Sequence, residues 1–109
     1  MNMVPLLVIT NLPSRESAEK LAAQLVEGRL AACVNQLAPC RSSYRWQGKL
    51  QHDEEFPLLI KTTQDRYAAL EAAIQAGHPY ELPEIIAVPI KSGLPAYLAW
   101  LETETQAPS

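Results

Sequence analysis

Apolar residues run without a break from Val4 to Ile9, a length that suits a central strand, and Asn11-Leu12-Pro13-Ser14 ends the run with turn chemistry. From Ser14, a predicted N-cap, Ala18, Leu21, Ala22, Leu25 and Val26 recur at helical spacing until Gly28 stops them. Leu30 to Val34 reads as strand, Ala38-Pro39-Cys40 interrupts it, and Arg41 to Leu50 alternates with period two. One side of that stretch carries Arg41, Ser43, Arg45, Gln47 and Lys49, and the other carries Ser42, Tyr44, Trp46, Gly48 and Leu50. The polar run Gln51 to Glu55 predicts the turn of a long hairpin whose second half is Phe56 to Thr62. Thr62 and Asp65 have capping-box spacing before a helix with Tyr67, Leu70 and Ile74 on one stripe, ended by Gly77. Glu84 to Lys91 predicts the last strand. Ser92-Gly93-Leu94-Pro95 then opens a short helix with Leu94, Tyr97, Leu98 and Leu101 on one side, and Gln106 to Ser109 is expected to fray.

The predicted fold class is therefore α+β, a ferredoxin-like βαββαβ sandwich with an extended β-hairpin and a short C-terminal helix. Both main helices should cover one face of an antiparallel sheet. The other face has no helix to cover it, yet Val4 to Ile9 and Ile85 to Ile90 are apolar on both sides. An apolar face left bare calls for a partner, so a homo-oligomer is expected, with the long hairpin as the device that reaches a neighbour.

At 109 residues, 48% hydrophobic and 19% charged, the chain fits one domain spanning residues 1 to 109. The net charge of −3 argues against nucleic acid as a partner. No apolar run is long enough for a bilayer span and no export signal precedes Val4, so the expected location is cytoplasmic, away from any membrane. Cys33 and Cys40 are seven residues apart, which on one regular strand sends their side chains to opposite faces and disfavours a disulfide. Cys33 reads as a small core residue, and Cys40, between Pro39 and Arg41, as the more exposed thiol.

Chemistry concentrates in His78-Pro79-Tyr80-Glu81-Leu82-Pro83-Glu84, where imidazole, phenol and carboxylates meet between a helix and a strand. Each proline fixes its own φ and disfavours helix at the residue before it, so this is an ordered connection. The plainer reading is a rigid loop whose histidine satisfies backbone groups; the sharper one is a ligand site. Lys61, at a strand end, could attract an anion or pair with Glu84, or simply be solvated. Trp46 and Trp100 suit an interface better than a stacked ligand. The Arg41, Arg45, Lys49 stripe could bind an anionic metabolite but is ordinary as a wet strand face, and His52 should be exposed.

Several segments together carry a family resemblance: Leu30-Ala31-Ala32-Cys33-Val34-Asn35, Ser42 to Gly48 with Tyr44 and Trp46, Lys61-Thr62, His78-Pro79-Tyr80-Glu81, Pro83-Glu84-Ile85 and Tyr97-Leu98-Ala99-Trp100. In this order and spacing, over residues 4 to 102, the chain resembles the CutA family of divalent-cation tolerance proteins. The resemblance implies a cytoplasmic homotrimer akin to the PII signalling proteins, assembled through its hairpins, linked to copper tolerance and not an enzyme. Thr10 and Gly77 stand where copper-binding members are proposed to carry a cysteine and a histidine, and only Glu84 of that set remains. A soft Cu(I) site is therefore not expected, while His78 with Glu81 or Glu84 could hold Cu(II) or zinc weakly. The expected metal ligands are His78 and Glu84, and the expected ligand cleft between subunits includes Lys61, Tyr80, Glu81, Tyr44 and Trp46. The alternatives are a structural or signalling trimer for an anionic metabolite and a small ferredoxin-like hydrolase. Against the hydrolase, the phosphate-binding glycine loop and the common catalytic signatures are missing from the sequence.

Overall fold

The chain folds in the order β1 (Pro5–Leu12), α1 (Arg15–Glu27), β2 (Cys33–Gln36), β3 (Cys40–Trp46), β4 (Lys49–Thr63), α2 (Gln64–Gly77), β5 (Ile86–Pro89) and α3 (Pro95–Glu104). This computed structural model describes residues 3–107, so the fraying expected at Pro108 and Ser109 lies outside the described residues. Strands β2, β4, β1 and β5 lie side by side in that order, and β3 pairs with β4. All pairings are antiparallel. Order and pairing are those of the expected α+β, ferredoxin-like sandwich.

The alternation of β1 sets the layers. Leu6, Val8, Thr10 and Leu12 are buried, and Pro5, Leu7, Ile9 and Asn11 between them are half-buried. The buried side of β1, with Leu58 and Ile60 of β4, meets Ala18, Leu21 and Leu25 of α1 and Leu70 and Ile74 of α2 in one core. Helix α1 starts where the sequence predicts, because the Ser14 hydroxyl accepts the Ser17 N–H at 3.1 Å and satisfies a donor that the first turn leaves free. Val26, expected on the apolar stripe, instead faces water at 42% exposure.

Residues directly paired across strands share a face, so the opposite side of the sheet gathers Leu7, Ile9, Leu59, Lys61, Ile86 and Val88, with Cys33 and Asn35 at its edge. This face was expected to carry no helix. In fact α3 reaches one end of it, bringing Tyr97 against Cys33, while Leu101 is fully buried. Arg29 anchors that arrangement: it holds a positive φ of 58° just past α1 and donates to the carbonyls of Thr103 (2.9 Å) and Gln106 (3.1 Å). A cation on the last carbonyls of a helix complements its dipole. The rest of the face stays open, with Ile86 50% and Val88 46% exposed. The stripe expected on α3 is buried only at Leu101, and Leu94 is 70% exposed.

The hairpin departs from the reading of the sequence at its turn. Trp46 pairs directly with Lys49, so the loop is Gln47-Gly48, with φ of 50° and 79°. Two successive positive φ values define the tight turn that matches strand twist, and glycine supplies the second without strain. The polar run Gln51 to Glu55, expected as the turn, is strand. It pairs with β3 alone, because β1 meets β4 only from Phe56 onward. Residues Lys49 to Glu55 thus form an arm of about 24 Å beyond the sheet, and the molecule measures 46 Å along its longest axis against 27 and 23 Å.

Three boundaries also move. Leu30 to Ala32 is a bend, with Ala31 and Ala32 buried, and strand β2 begins only at Cys33. Thr62 is not a helix cap: its hydroxyl donates to the Leu30 carbonyl at 2.7 Å, and Thr63 occupies the N-cap position of α2. Strand β5 spans Ile86–Pro89 rather than the longer run Glu84 to Lys91.

Candidate functional site

The loop that follows α2 is held by its histidine. The His78 Nε2–H donates to the Asn11 carbonyl at 2.7 Å, and its Nδ1 accepts the Tyr80 backbone N–H at 3.2 Å. A ring that donates through Nε2 and accepts through Nδ1 is a neutral imidazole in a single tautomer. His78 is 8% exposed. Burial pushes its pKa below the ordinary imidazole value, and the Asn11 carbonyl and Glu55 oppose that shift only in part. The Tyr80 ring stacks obliquely on it, with centroids 4.8 Å apart. Asn11 ties the loop a second time, its side-chain amide donating to Glu84 Oε1 at 3.1 Å.

Between this loop and the hairpin arm lies a cleft of about 720 Å³. Tyr44 and Trp46 line it from β3, Glu55 from β4, Asn11 from β1, and Tyr80, Glu81 and Glu84 from the loop. Glu55 is 9% exposed, and the Tyr80 hydroxyl faces it; burial and this carboxylate together push the Tyr80 pKa far up, so the phenol stays neutral. Across the arm the Tyr44 hydroxyl donates to Asp53, which likewise raises the Tyr44 pKa.

Of the residues singled out in the sequence, Tyr44, Trp46, Tyr80, Glu81 and Glu84 converge on the cleft. Lys61 does not: it lies on the open face, bonded to Asn35 and 3.9 Å from Cys33 Sγ. His78 stands behind the cleft with both ring nitrogens engaged. A metal on Nδ1 would displace the Tyr80 N–H, and one on Nε2 would force the other tautomer and displace both hydrogen bonds. Among the described residues no three His, Cys, Asp or Glu side chains gather as a metal would need. His78 thus serves as the backbone-satisfying residue of an ordered loop, and Glu84 is tied to Asn11. The cleft also takes in Glu55 and Asn11, which the sequence does not signal. Glu55 lies in a charged run that reads as a turn, although a turn at Gln47-Gly48 places it opposite Cys40 on the side of Ser42 and Tyr44. Asn11 carries no local signal, since its partners lie 67 and 73 residues away.

Thr10, at the position where a cysteine ligand was considered, is fully buried on the helix-covered face, and its hydroxyl has no hydrogen-bond partner. A buried hydroxyl without a partner costs about 1–3 kcal/mol. Thr10→Val, nearly isosteric, should raise stability by about 1 kcal/mol, read as a higher urea midpoint at unchanged m-value. A lower midpoint would mean that the hydroxyl has a partner in solution.

Comparison with known proteins agrees with the fold. The family model described as CutA1 divalent ion tolerance protein matches residues 6–104. A divalent-cation tolerance protein CutA of Thermus thermophilus is 47% identical over 98 residues, covering 90% of this chain and 95% of its own length. A chloroplastic CutA of Arabidopsis thaliana is 43% identical over 94% of this chain, which spans 57% of that longer protein. The solved structure of the Thermus thermophilus protein superposes with a TM-score of 0.92 at 45% identity, covering 94% of this chain and 99% of that one. The CutA of Xylella fastidiosa gives 0.91 at 46% identity, covering 94% and 98%. With the family model spanning both layers of the sandwich and the loop behind the cleft, the chain belongs to the CutA1 family of divalent ion tolerance proteins.

Proposed function

We propose that the protein is a homotrimeric, non-catalytic binding protein of divalent-cation tolerance, in which each cleft beside the 78–84 loop takes a ligand and is closed by a neighbouring subunit. The open sheet face carries this reading. Leu7, Ile9, Leu59, Ile86 and Val88 form an apolar surface that α1 and α2 do not cover. Contiguous exposed apolar surface is costly in water and is relieved by self-association. The arm beyond it gives a neighbour an unpaired strand edge and two aromatic rings.

Catalysis has little support in the cleft: its histidine is locked in one tautomer, and its phenols are held neutral. The two free thiols, Cys40 exposed and Cys33 half-buried, suit a reducing compartment such as the cytoplasm. Divalent cations would enter this scheme weakly, through carboxylates, with affinity in the micromolar range or poorer, about −8 kcal/mol or less favourable.

Light scattering tests the assembly. The expected mass is three times the 12.1 kDa chain. Trp46→Ala should loosen it, since truncating a large aromatic at a buried contact costs on the order of 3–5 kcal/mol. A folded wild-type monomer at micromolar concentration would refute the trimer, and an unmoved trimer in Trp46→Ala would place that ring outside the interface.

A further inference from the structure

We infer that the cleft between the hairpin arm and the 78–84 loop takes a small organic ammonium ion, such as one end of an alkyl diamine, in preference to a bare metal ion. The inference deepens the binding reading above by naming its ligand class.

Three features combine. Glu55 is 9% exposed and lines the cleft, and the group facing it is the Tyr80 hydroxyl, a neutral donor that leaves the negative charge without a cation. Tyr44, Trp46 and Tyr80 supply aromatic surface on the arm and the loop. Aromatic faces attract cations, and a singly charged ammonium gives up water to them more readily than a divalent metal ion does. Glu81 and Glu84 add two exposed carboxylates on the loop side. The one cation among the lining residues is Arg45, and its pairing opposite Leu50 places it on the other side of the arm from Tyr44.

The donor set separates the two ligand classes. A divalent metal needs several oxygen or nitrogen ligands converging at about 2.0–2.6 Å, and no such group of three acidic, histidine or cysteine side chains forms among the described residues. An ammonium needs only acceptors at ordinary hydrogen-bond distance for its three N–H groups, with apolar walls for the carbon chain. A cleft of about 720 Å³ holds a ligand of that size.

The test is calorimetric titration of the intact protein with 1,4-diaminobutane at low ionic strength, with Mg²⁺ as a control of equal charge and light scattering on the same sample. Expected is saturable binding of one diamine per chain that equimolar Mg²⁺ does not displace. Glu55→Gln, which keeps an acceptor for Tyr80, should weaken it at least about tenfold. Glu81→Gln, an exposed change that leaves the fold alone, should weaken it severalfold. A trimer that shows no saturable diamine binding, or unaltered affinity in both variants, overturns the inference and leaves the trimer standing. A monomeric mass overturns the assembly reading, and the same titrations still decide the ligand.

Discussion

Leu59→Asp should convert the proposed trimer into folded single chains at micromolar concentration. Leu59 sits in the middle of the open face, opposite Ile9 on one side and Asn35 on the other, and is half-buried in the isolated chain. Placing a carboxylate there leaves the core of Leu6, Val8, Leu58 and Ile60 untouched, because that core lies on the other side of the sheet. In a threefold assembly three such charges would be sealed among apolar groups, and each buried unpaired ion costs several kcal/mol. Light scattering should therefore fall to the 12.1 kDa chain mass while far-UV circular dichroism is unchanged. A variant that remains trimeric would show that the open face is not where the copies meet.

His78→Ala should destabilise each chain by on the order of 2 kcal/mol, because it strands two part-buried backbone groups, where a fully buried one costs about 1–3 kcal/mol. Those groups are the Asn11 carbonyl and the Tyr80 N–H. Copper affinity is expected to stay unchanged, because both ring nitrogens are held in hydrogen bonds to the backbone; His52→Ala, on the exposed arm, is the control for surface chelation. The histidine also fixes a pH dependence. Burial lowers its pKa in the folded chain, so between the ordinary value near 6.5 and the lowered one the unfolded chain binds more protons. The contribution is complete above about pH 6.5 and is lost as pH falls below it. Urea midpoints at about pH 8 and about pH 5 should drop further for wild type than for His78→Ala. Equal drops would remove His78 as the group responsible.

Local pattern carried the fold a long way. The apolar run of β1, the Ser14 cap with its stripe to Leu25, and the helix ending at Gly77 are each decided by neighbours in sequence, and each lies where the pattern puts it. The hairpin turn did not, because Gln47-Gly48 continues a period-two alternation and only its positive φ values mark the reversal. The charges of Gln51 to Glu55 then imitated a loop, since an arm that leaves the sheet has no core to demand apolar residues. Tyr44, Trp46, Tyr80, Glu81 and Glu84, singled out through the family resemblance, all line the cleft within this chain. Asn11 and Glu55 were not, as their roles arise from pairings between distant parts of the chain. Lys61 was expected in a cleft between subunits through the family resemblance; its register with Leu7 and Cys33 puts it on the open face, outside the cleft within this chain.

Hydroxyl-radical footprinting of the native protein, read residue by residue, interrogates the open face itself. In the isolated chain Ile86 is 50% exposed, Val88 46% and Trp100 43%. Assembly through the open face predicts that Ile86 and Val88 are protected in wild type and become reactive in Leu59→Asp, while Val26, 42% exposed on α1 across the sheet from that face, reacts in both. Reaction of Ile86 and Val88 in wild type as strong as in Leu59→Asp would contradict the account.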